Sequence, residues 1–88
     1  MIWVVTIGGS IERRYTREDV DRVLAGLAPY RAAVTIGETG GTIAATMTME
    51  AVTAEAAFIQ CVALFGEQLG ERPRLTEIRV ALDTQTLG

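Results

Sequence analysis

Three arginines, Arg13, Arg14 and Arg17, follow Gly8-Gly9-Ser10 around a helix start at Thr16. Glycine amides, helix-end donors and guanidinium groups all favour phosphate or carboxylate, so this stretch is where the chain could gather an anion. Two adjacent glycines and a serine do not make a phosphate loop or a dinucleotide fingerprint, and Glu12, Glu18 and Asp19 offer the same arginines local partners. The segment reads as a solvated turn with exposed ion pairs, a small-ligand or anion site on Gly8–Arg17 being the alternative. Cys61 falls on an apolar helical stripe between Phe58 and Phe65, where a thiol behaves as a small hydrophobe with a raised pKa. Glu18, Asp19 and Asp21 have neither apolar shielding nor the sixth-position glycine of a calcium loop, so they read as a polar helix face. Met47 and Met49 read as core filler. No catalytic residue, metal ligand or cofactor is expected, and the chain is not expected to be an enzyme.

Composition narrows the field further. With one Cys and no His among 88 residues, no internal disulfide and no zinc, haem or iron–sulfur ligand set can form, and Ser-His-Asp chemistry is excluded. All eight basic residues are Arg, and the net charge of −3 gives no electrostatic footprint for nucleic acid or an anionic membrane. The opening run 1–7 is too short to span a bilayer and lacks the basic stretch of a signal peptide, so a cytoplasmic, reduced protein is expected. Residues 1–88 are expected to form one domain, able to remove roughly 60 to 65% of its unfolded surface from water.

The elements that would position these residues follow from periodicity. Ile2 to Ile7 is rich in β-branched residues and stops at Gly8-Gly9-Ser10, a strand and a turn; both of its alternating sets are apolar, which suits a central strand. Thr16 can cap a helix with Glu18 and Asp19 in its first turn, and Val20, Val23, Leu24 and Leu27 follow at helical spacing before Pro29. Ala32 to Glu38 and Thr42 to Met49 return to period two around Gly40-Gly41, a hairpin. Thr53 caps a second helix with Phe58, Cys61, Val62, Phe65 and Leu69 on one stripe and Gly70 as the stop. Ile78, Val80 and Leu82 alternate with Arg79, Ala81 and Asp83 in a last strand, and the tail from Thr84 is expected to fray. Phe58, Phe65, Val62 and Leu24 should pack on Val5, Ile43 and Met47.

The order β-α-β-β-α-β with two amphipathic helices gives an α+β ferredoxin-like plait: a four-stranded antiparallel sheet with both helices on one face. Right-handed crossovers put the first and third strands in the centre. Ile43, Ala45, Met47 and Met49 are the larger apolar set of the third strand, so Thr42, Ala44, Thr46 and Thr48 point away from the helices. Val4, Thr6, Thr35, Arg79 and Ala81 join them, with Ala33 and Ile2, on an outer face of about 400 Å². Such a face can stack on another sheet or stay solvated as many antiparallel sheets do. By alternation Trp3 points inward, with an interface anchor as the alternative; no aromatic stands on the outer face of the third strand, where an RNA-reading version of the plait stacks bases.

Thr42 to Glu50 followed by Ala51-Val52-Thr53-Ala54-Glu55-Ala56-Ala57 resembles the strand-to-helix joint of small ferredoxin-like proteins from actinobacteria and their phages, and the all-Arg, Ala- and Gly-rich composition is similar too. The resemblance implies the fold along the whole chain and transfers no site residue. Gly8-Gly9-Ser10-Ile11 departs from the Asp-x-x-Gly ligand loop of amino-acid-binding domains of the same plait. The expectation is a non-enzymatic protein-interaction or oligomerisation module that associates through the outer sheet face or the uncharged edge strand Ala33 to Gly37, partnered by itself as a homodimer or higher or by another protein, with no nucleic acid and no membrane as partner.

Overall fold

The structure, a computed structural model, describes residues 1–83, so the tail expected to fray lies outside the described residues. The chain runs β1 (Ile2–Ser10), α1 (Arg17–Leu27), a 3-10 turn (Ala28–Tyr30), β2 (Ala33–Ile36), β3 (Ile43–Glu50), α2 (Ala54–Leu69) and β4 (Arg74–Leu82). The strands form one antiparallel sheet in the order β2-β3-β1-β4. This is the ferredoxin-like α+β arrangement, with the doubly apolar first strand in the interior of the sheet.

Caps set the helix ends. At α1 the Thr16 hydroxyl accepts from the Asp19 amide at 3.3 Å while the Asp19 carboxylate accepts from the Thr16 amide at 2.7 Å, a reciprocal capping box. At α2 the Thr53 hydroxyl accepts from the Ala56 amide at 3.1 Å. Gly70 closes α2 at φ 76°, a left-handed conformation that costs glycine nothing, and its amide reaches the Gly66 carbonyl at 3.0 Å.

Two boundaries differ from the periodicity. The strand expected to stop at Ile7 continues through Gly8 and Gly9, which pair with Ala44 and Ile43 on one side and with Glu77 and Leu75 on the other. The turn expected there is absent because β4 bulges between these two pairs and both glycines let it approach; a Cβ on Gly9 would lie 2.8 Å from that of Pro73. β4 in turn begins at Arg74, ahead of the alternation that marked it.

The core lies in the single layer between sheet and helices. Val5, Ile7, Ile43 and Met47 meet Val23 and Leu27 of α1 and Cys61 and Phe65 of α2, all fully buried. The buried line of α2 steps by four residues through Ala57, Cys61, Phe65 and Leu69, which leaves Phe58, one position and about 100° away, only half-buried. Val62 and Leu24 are likewise half-buried rather than central. Trp3 turns to the helix side and its indole donates to the Ala51 carbonyl at 3.1 Å. Phe65→Ala should cost about 3 to 5 kcal/mol, enough to unfold much of so small a protein. Urea unfolding checks this, and a loss below about 1 kcal/mol would displace Phe65 from the centre of the core.

Candidate interaction surface

Strand pairing fixes which side chains share the face without helices. Val4 stands opposite Thr48 and Ala81, Thr6 opposite Thr46 and Arg79, and Ala44 opposite Gly8 and Thr35. Directly paired residues project to the same side, and Val5 and Ile7 are buried on the other, so these form one outer surface. The residues singled out from the sequence are thus brought together, except that Thr42 precedes β3 and sits at the hairpin mouth, accepting from the Gly37 amide at 2.9 Å through its carbonyl. Val4, Thr6, Ala44, Thr46 and Thr48 are half-buried, although no helix covers them.

Three hydroxyls on this face, those of Thr6, Thr46 and Thr48, are already engaged. The Thr6 and Thr46 hydroxyls share a 3.0 Å hydrogen bond across β1 and β3, and the Thr48 hydroxyl donates to the Tyr30 carbonyl at 3.0 Å. The centre of the face therefore carries no charge and asks little of water. Charged residues stand around it: Glu50 at one end, Glu77 and Arg79 on the edge strand.

The edges differ in what they offer. The Gly37 amide points into the β3 ladder, so by alternation Thr35 does too, and only Val34 and Ile36 direct backbone groups outward from the four-residue β2. β4 is nine residues long, and on its helix side Ile78 and Leu82 are 49% and 41% exposed. Period two in the sequence assigned both to the core side; nothing in it shows that α2 leaves them uncovered.

The Gly8–Arg17 segment gathers its arginines differently from an anion cradle. Asp19, 3% exposed, receives both terminal nitrogens of Arg13 at 2.8 and 3.0 Å and is also bound by Arg22. Arg13 further approaches Glu71 at 3.6 Å and lies 5.8 Å from the Tyr15 ring centre. Arg14 donates to the Thr39 carbonyl at 3.0 Å, next to the Tyr15 amide that donates to Gly40 at 2.9 Å. The expected local ion pairs are present, but Asp19 is a buried anchor and not part of a polar face, because both the capping box and two guanidiniums converge on it. Hydrogen bonds from Arg13 and the Thr16 backbone hold its carboxyl well below the ordinary range despite burial. Burial pushes the Tyr15 hydroxyl up.

Asp19→Ala should lose about 2 kcal/mol, a cap plus charge-assisted bonds whose arginine ends are half in water. A carboxylate with a depressed folded pKa contributes fully above its unfolded value and progressively less as pH falls below about 4, so the variant's stability should vary less between about pH 4 and 2 than the wild type's. Parallel pH profiles in urea unfolding would contradict this. Cys61 is fully buried and its thiol is pushed up to about 11 by desolvation, so a thiol reagent at pH 8 should label it only at the rate of opening. Fast stoichiometric labelling of the folded protein would contradict the assignment.

Among the described residues no helix is long and apolar enough to cross a membrane, and no group of three or more His, Cys, Asp or Glu gathers as a metal site. A scan against protein-family models finds no match, and none of the curated proteins matches the chain.

Proposed function

We propose that the chain is a non-enzymatic protein-interaction module of the cytoplasm, a ferredoxin-like homodimer or accessory subunit that associates through its outer sheet face. The observation that carries this reading is the mutual hydrogen bond of Thr6 and Thr46 at the uncharged centre of that face. A patch whose central hydroxyls are already paired loses little on dehydration and gains from covering Val4 and Ala44. The buried carboxylate Asp19, its acidity strengthened by Arg13 and the Thr16 backbone, is occupied in holding a helix start, which favours a structural role for that cluster. A free thiol inside the core fits a reducing compartment.

Thr46→Arg tests the face. The substitution sets a charge at its centre without touching the helix-covered side, so it should shift an associated form to monomer and leave the circular dichroism spectrum unchanged. Sedimentation of variant and wild type over a concentration series reads the effect, and identical profiles would mean that the face is simply solvated.

A further inference from the structure

We infer that the free edge of β4 pairs antiparallel with the β4 edge of a second copy, centred on Val80, to form a continuous eight-stranded sheet. The inference rests on the reading of the chain as an interaction module and adds a surface and a register to it. Among the described residues no strand lies beyond β4. The Asp83 amide donates to the Ile2 carbonyl at 2.9 Å, so by the alternation of an antiparallel ladder Ala81 and Arg79 also face β1. Ile78, Val80 and Leu82 then direct their backbone donors and acceptors away from the sheet. Edges of this kind are usually blunted by a charge, a proline or a bulge. Here Pro73 and the bulge near Gly8 guard only the beginning of β4, and the helix-side row Ile78, Val80, Leu82 carries no charge.

A two-fold contact must be self-complementary, and this row is. Centred on Val80, each Ile78 stands opposite the second copy's Leu82, Val80 opposite its own counterpart, and Arg79 opposite Ala81. The two side chains left 49% and 41% exposed in one copy thereby cover each other in two. Centring on Ile78 would run the pairing into the bulge and set Leu82 against Arg74, whereas the Val80 register pairs Ile78 with Leu82 within the described residues. Two acid pairs related by the two-fold, Glu77 of each copy against Asp83 of the other, meet at the two rims, where Arg79 already lies 3.8 Å from Glu77. Two such strands bury on the order of 700 Å² in total, below the roughly 1,000 Å² of a stable specific interface, so the dimer should be weak and concentration-dependent.

The test uses two variants of the full chain, Ile78→Lys and Leu82→Glu, in sedimentation from about 10 μM to 1 mM, with circular dichroism as the check on folding. Each alone should weaken dimerisation at least about tenfold. Mixed in equal amounts they should form a heterodimer of near wild-type affinity, because the new lysine of one copy then lies opposite the new glutamate of the other while the second Ile78–Leu82 contact is kept. A wild type that is monomeric at 1 mM, or a mixture that stays as weak as its components, would overturn the proposal. Unchanged dimerisation in both variants would overturn it too, and loss of that dimer on Thr46→Arg would then leave the face-mediated module standing without the β4 edge.

Discussion

The alternation of β1 between two other strands is the constraint from which the remaining features follow. Its odd positions Val5 and Ile7 are fully buried under the helices, and its even positions Val4 and Thr6 lie on the outer surface. Because β1 pairs with both β3 and β4, its register assigns a side to most residues of those strands. A slip of β1 by one residue would place Thr6 in the core and expose Val5 and Ile7. The bulge opposite Gly8 and Gly9 interrupts the alternation only at the far end of β4, where it returns Leu75 to the core side beside the fully buried Ile7 row.

One layer of core must also hold the loop that leaves this strand. That task falls to Asp19, which stands on the line of α1 that continues through the buried Val23 and Leu27. A carboxylate at such a position is tolerable only when its oxygens are satisfied, and here the capping box, Arg13 and Arg22 satisfy them. The same contacts tie the β1–α1 connection to the hairpin through Arg14 and Tyr15, and to the end of α2 through Glu71. Two of the three arginines that made the segment look receptive to anions, Arg13 and Arg14, thus help hold it in place.

Topology was legible because β-branched alternation, helix spacing and capping residues agreed with one another from Ile2 to Leu82. The phase of α2 was less so: Phe58 and Ala57 are adjacent, and an apolar pattern with aromatics on one side favours the larger side chain, whereas the packed helix turns the small one inward. Gly8-Gly9 was read as a turn by composition, since the reason for two glycines in a strand is the close passage of β4, a contact distant in sequence. The outer-face row could be read directly from period two. The burial of Asp19 could not, because its second partner Arg22 and the capping box give the same signature at an exposed helix start. Likewise, the exposure of Ile78 depends on where α2 lies, which local pattern does not encode.

Threonine and valine are also good strand formers, so a face rich in them has an explanation in local propensity alone. Propensity does not explain how their polar atoms are placed. Thr6 and Thr46 turn their hydroxyls toward each other, a cross-strand pair that stabilises the sheet and leaves little for water to bond, and Thr48 lends its own to the Tyr30 carbonyl. Nor does propensity account for a strand edge that is guarded at one end and whose helix-side row Ile78, Val80, Leu82 is apolar. Face and edge point in perpendicular directions: pairing at β4 widens the sheet within its own plane, and stacking adds a layer above it. Occupying one leaves the other free, and two copies joined at β4 would set their outer faces side by side as one broader surface, with Glu77 and Arg79 of both copies along its seam.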